Sequence, residues 1–79
     1  MNELSTMRRL SEVGPGHRVR VSSVHGGQGV RGQLCAMGLM TGMTVEVVSA
    51  NGGPMILKVM GGRLMLGQGM AKKIMVHEL

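Results

Sequence analysis

Between Val30 and Val47 the spacing of apolar residues changes from a helical period to a strand period. Val30, Leu34 and Met37 recur at helical intervals and share one face of a short helix. Gly38 stands where that helix must stop, at the position that favours a left-handed backbone. The next residue, Leu39, is then placed to fold back onto Leu34, the apolar contact of a Schellman ending. Thr41-Gly42 turns the chain, after which Met43, Val45 and Val47 alternate with Thr44 and Glu46 as a strand over 43–48.

The flanking segments repeat the strand pattern. Residues 1–9 show no clear period and are expected to fray, while Leu10 and Val13, three apart, predict a single helical turn before Gly14-Pro15-Gly16. Residues 17–22 alternate, with Val19 and Val21 inward and Arg18 and Arg20 outward. Val24 breaks that parity, which predicts a bulge or the end of the strand. Asn51-Gly52-Gly53-Pro54 is a turn, and 55–60 is a strand with Leu57 and Val59 on one face. Gly61-Gly62 predicts a two-residue hairpin loop into 63–66, where Leu64 and Leu66 face inward. Residues 67–72 hold too much glycine for more than one helical turn, and 73–77 close the chain with Ile74 and Val76 inward. About five short strands and one short helix in 79 residues predict a mainly β fold, a small partly open barrel forming one domain over 1–79.

Composition narrows the chemistry. The chain has no Phe, Tyr or Trp, and its ten methionines fill a core without specifying its packing. Nine Lys and Arg against four Glu leave a net charge of +5, which suits an acidic protein surface, a nucleic acid or plain solubility. One cysteine precludes an internal disulfide and fits a reducing compartment. No apolar run reaches the roughly 18 residues that a membrane span needs, so a cytoplasmic protein is expected.

Catalytic constellations are lacking. Gly27-Gln28-Gly29-Val30-Arg31-Gly32 matches G-x-G-x-x-G, with Glu46 nineteen positions beyond Gly27. A dinucleotide site also needs repeated βαβ units, and the hairpins expected here argue against it. His17, His25, His77 and Cys35 fall at no metal-ligand spacing, so neither a resident iron or zinc ion nor any other cofactor is expected. No activating base accompanies Cys35, and no paired carboxylates or phosphate-cradling lysine motif occur, so the chain reads as a non-enzyme.

Several motifs taken in order resemble the FeoA family. They are Leu10-x-x-Val13-Gly14-x-Gly16, Arg31-x-x-Leu34-x-x-Met37-Gly38-Leu39-x-x-Gly42, Met43-x-Val45, Gly53-Pro54, Leu64-x-Leu66, Ala71 and Ile74-x-Val76. The chain departs from the family pattern at Thr41, where Pro often precedes the glycine, and at Gly67 and Gly69, in a segment that is usually more helical. The resemblance implies an SH3-like barrel and a cytoplasmic accessory of bacterial ferrous iron uptake. Its implied partner is the cytosolic GTPase part of a FeoB-type transporter.

An SH3-like barrel carries no chemistry of its own, so a surface must do the work. The helix end is the candidate partner site: Leu39, Met40 and a basic rim of Arg31, Lys72 and Lys73. Two readings of Met40 stand side by side, an exposed apolar anchor and a packed turn residue. Two other functions compete: a nucleic-acid-binding barrel using Arg18 and Arg20, weakened by the lack of stacking aromatics, and an iron-carrying metallochaperone. Met65 and Met75 are candidates for self-association.

Overall fold

The computed structural model describes residues 7–79. Six strands alternate with three short helical pieces: β1 (Met7–Arg9), a single 3-10 turn (Leu10–Glu12), β2 (Arg18–Val24), α1 (Gln28–Ala36), β3 (Thr44–Ser49), β4 (Met55–Val59), β5 (Gly62–Leu66), α2 (Gln68–Ala71) and β6 (Ile74–Glu78). They form one antiparallel sheet in the order β1-β6-β2-β3-β4-β5, with β1 and β5 as its edges, so the sheet is not closed. The expectation of about five strands is corrected to six. The expected fraying over 1–9 is corrected too: residues 7–9 pair in register with β6, Met7 opposite His77 and Arg9 opposite Met75. The rest of that expectation, residues 1–6, lies outside the described residues.

The core is aliphatic throughout. Val19 and Val21 from β2, Val45 and Val47 from β3, Met55 and Leu57 from β4, and Ile74 and Val76 from β6 are fully buried, as their alternation requires. Leu10 of the 3-10 turn and Val13 just after it, Leu34 and Leu39 around the end of α1, Leu66, and Ala71 of α2 complete it. No polar side chain is buried among the described residues. Helix α2 is the single turn that its glycines permit, and Gln68 donates from Nε2 to the Gly53 carbonyl at 2.9 Å, tying it to the β3–β4 turn.

Two bulges bend the sheet. On β2 the pairing with β6 slips between Val21 and Ser23, so Ser22 is the extra residue and the parity break at Val24 is explained. On β3 the pairing with β4 slips between Val47 and Ser49, which makes Val48 the extra residue there.

The β4–β5 hairpin differs from expectation by one residue. Val59 pairs with Gly62, so the loop is Met60-Gly61 and not Gly61-Gly62. Both loop residues have positive φ, +50° at Met60 and +81° at Gly61, the requirement of a type I′ turn. The register follows the inward-facing pairs, buried Met55 with buried Leu66 and buried Leu57 with half-buried Leu64, and the loop takes whatever residues remain. Met60 therefore bears the left-handed strain with its side chain 83% exposed and nothing gained by packing. Met60→Asn, which suits this conformation, should raise the melting temperature by about 2–8 °C, as removal of roughly half to one kcal/mol of strain implies. A thermal melt in which the variant is no more stable than the parent would contradict this turn assignment.

Candidate functional site

Helix α1 is a poor helix in isolation. It contains Gly29 and Gly32, its N-cap is Gly27, and no side chain caps its first turn. What holds it is packing, through buried Leu34 and half-buried Val30 and Met37, together with a specific ending. At that ending the Gly38 amide donates to the Cys35 carbonyl and the Leu39 amide to the Leu34 carbonyl, both at 2.9 Å. These are the two bonds of the Schellman motif, made possible by φ +86° at Gly38. The reversal aims successive residues in opposite directions. Leu39 is buried (1% exposed), and Met40 stands 46% exposed.

The chain is then fixed to the sheet. The Met43 amide donates to the Met40 carbonyl at 3.0 Å across a turn whose third residue, Gly42, has φ +91°, the arrangement of a type II turn. Val21 of β2 grips this turn at both groups: its amide donates to the Met43 carbonyl and its carbonyl accepts from the Gly42 amide, each at 2.8 Å. The turn therefore has little freedom relative to the sheet.

These constraints frame a pocket of about 360 Å³ lined by Ser23, Val24, Arg31, Cys35, Leu39, Met40 and Thr41. Arg31 and Cys35 lie four apart on α1 and so share one face of the helix. Ser23 and Val24 come from the end of β2 beyond its bulge, and Leu39, Met40 and Thr41 come from the reversal. The lining holds one cationic side chain and no carboxylate. Its apolar surface and its one cation suit it to holding a group.

Of the residues expected at a partner site, the structure brings three to this pocket: Arg31, Leu39 and Met40. Leu39 is buried and forms part of the pocket's floor. Lys72 and Lys73 are exposed but do not line the pocket. They follow α2, and the Lys73 carbonyl accepts from the His25 amide at 2.6 Å, just past the end of β2. Ser23, Val24, Cys35 and Thr41 were not anticipated as lining, since only the pairing of β2 with β6 and the seating of α1 bring them together.

Other candidate chemistry is dispersed. His17 and Arg8 both approach Glu78, with Nδ1 at 3.6 Å from Oε1 and Nε at 3.3 Å from Oε2. Cys35 is exposed in the pocket and His25 is exposed just beyond β2. Among the described residues no three His, Cys, Asp or Glu gather closely enough to hold a metal ion. The glycine-rich segment 27–32 caps and opens α1, but every strand pairing is antiparallel, so the parallel βαβ frame of a dinucleotide site is lacking among the described residues. Arg18 and Arg20 are exposed on β2, yet Arg18 lies opposite Glu46, which faces Lys58 on its other side. That face is a ladder of mixed sign and not a continuous cationic strip.

The FeoA domain profile matches residues 8–78. An Fe(2+) transport protein A candidate of Methanocaldococcus jannaschii is 33% identical over 63 residues, spanning 80% of this chain and 77% of that protein. The crystal structure of an iron uptake regulatory protein, FeoA, superposes with a TM-score of 0.89 at 39% identity, over 92% of this chain and 99% of the other. The solution structure of FeoA from Chlorobium tepidum gives a TM-score of 0.82 at 31% identity, over 91% of this chain and 70% of the other. The fold alone also recurs in part of the T. acidophilum protein IdeR, with a TM-score of 0.85 at 20% identity over 34% of that chain. The open six-stranded sheet with its short helix is the SH3-like architecture of these proteins, and the chain belongs to the FeoA family.

Proposed function

We propose that this protein is a non-enzymatic accessory of ferrous iron uptake that works in the cytoplasm by docking on the cytosolic GTPase part of a FeoB-type transporter. Membership of the FeoA family and a relative named for Fe(2+) transport support the iron connection. The observation that favours docking over chemistry is the pocket beside the end of α1. Met40 stands partly exposed at its mouth over a rigid aliphatic floor, with Arg31 on the rim. A flexible thioether on a braced turn is a good contact for a partner side chain, because the turn's order is already established before binding. No helix among the described residues is long and apolar enough to cross a membrane.

Calorimetric titration of this protein against the transporter's cytosolic part, in each nucleotide state, tests the reading. Met40→Glu should weaken binding at least about thirtyfold, because a carboxylate at the interface centre loses its water without gaining a partner. Its melting curve should stay close to the parent's, since the position is partly exposed in the free protein. Arg31→Ala, at the rim, should cost about two- to threefold and mainly in the association rate. No binding by the parent would reject the reading. Steep salt-dependent binding to RNA or DNA in its place would favour the nucleic-acid alternative.

The same reading makes the isolated protein catalytically silent and metal-independent in folding. Purified protein should show no GTP turnover, and a chelator should leave its melting temperature unchanged. Iron retained through chelation and gel filtration would favour the metallochaperone instead.

A further inference from the structure

The pocket has a feature that a simple apolar hole lacks: one of its walls is an open strand edge. Strand β3 pairs with β2 only from Arg18 to Arg20, and Val21 closes that ladder through its bonds to Gly42 and Met43. Beyond Val21 the chain of β3 has turned away into the helix reversal. Ser23 and Val24 continue as strand, paired with Met75 and Ile74 of β6 on one side, while their other side borders the pocket. Successive strand residues point to opposite faces, yet both Ser23 and Val24 line the pocket. Both residues lie where β2 has a ladder partner in β6 and none in β3. The bulge at Ser22 supplies the twist that swings this edge clear of β3.

We infer that the edge of β2 over Ser22–Val24 accepts an extended, acidic segment of a partner protein as an added strand. One bulky aliphatic side chain of that segment seats against Leu39 and Met40, and a carboxylate meets Arg31. Strand addition draws affinity from main-chain hydrogen bonds and specificity from pockets beside the edge, and this site offers both. Charge selects the occupant. The lining has a cation and no carboxylate, and the whole chain carries a net charge of +5. A nucleic acid fits less well, since the pocket provides one cation and the chain has no aromatic on which a base would stack. The edge strand β5 is also open, but its exposed side chains are Arg63 and Met65, and neither lines the pocket.

The mode of docking stands on this geometry. Only the assignment of the segment to a FeoB-type transporter rests on the function proposed above. The test is amide chemical-shift mapping of the whole protein with a short acetylated peptide that carries one leucine between Asp and Glu flanks. Shifts should centre on Ser22–Val24 and on Leu39–Thr41. Replacing the acidic flanks by lysine, or methylating alternate backbone amides of the peptide, should each weaken binding by at least about tenfold. Arg31→Glu should remove the preference for acidic flanks. The inference is overturned by any of four results: no shifts with the acidic peptide, equal binding of the N-methylated peptide, shifts confined to β5, or displacement of the peptide by an oligothymidylate at the same residues. The transporter's cytosolic part is mapped in parallel. If it fails to bind while the peptide behaves as described, the choice of transporter falls and the docking mode stands. If it binds with shifts away from Ser22–Val24, the docking mode falls and the transporter reading stands.

Discussion

Two hydrogen bonds at the end of α1, each 2.9 Å long, set the course of the middle third of the chain. They require the left-handed backbone at Gly38, and they decide which side chains enter the core and which remain outside. Without them α1 would rest on Leu34 and two half-buried neighbours, with Gly29 and Gly32 working against it. With them, Leu39 is driven into the core one residue after the helix stops. The chain then reaches β3 in the register that lets Val21 grip the turn at 2.8 Å on both sides. The pocket follows from this sequence of constraints. Its helix wall, floor and mouth are three consecutive outcomes of one reversal.

How much was legible depended on whether the signal was local. The Schellman ending is written in neighbours, Leu34, Gly38 and Leu39, so its geometry could be read without knowing the fold. Alternation placed Val19, Val21, Val45, Val47, Ile74 and Val76 inward, because one buried face dictates period two. The break at Val24 marked the bulge for the same reason, as an extra residue must disturb the alternation.

What escaped was set by distant pairing. Strand β1 has three residues with two exposed arginines, so no period exists to be seen, and only β6 makes it a strand. The hairpin loop was off by one residue because Met60-Gly61 and Gly61-Gly62 differ little locally. The long-range pairs Met55 with Leu66 and Leu57 with Leu64 outweigh the cost of a left-handed methionine. The candidate site was partly legible on the same terms. Arg31 and Met40 lie close in sequence to the helix end and do border the pocket, whereas Lys72 and Lys73 reach the vicinity of β2 only through β6 and do not line it. Ser23 and Val24, which supply the open edge, carried no local sign of that role.

The glycine at the reversal is therefore the position on which the account turns. An added Cβ there would meet Val59 Cγ1 at 3.7 Å, an ordinary contact, so crowding is not the obstacle. The cost of Gly38→Ala should come from the backbone alone. Gly32, inside α1, has nothing within 4 Å of an added Cβ and a helical backbone that alanine prefers. Thermal melting of the two single variants is the direct measurement. Gly32→Ala should raise the stability by about half to one kcal/mol, while Gly38→Ala should lower it by about 1–2 kcal/mol. If Gly38→Ala melts at or above the parent's temperature, the left-handed reversal does not organise this chain, and the pocket must be held by something else.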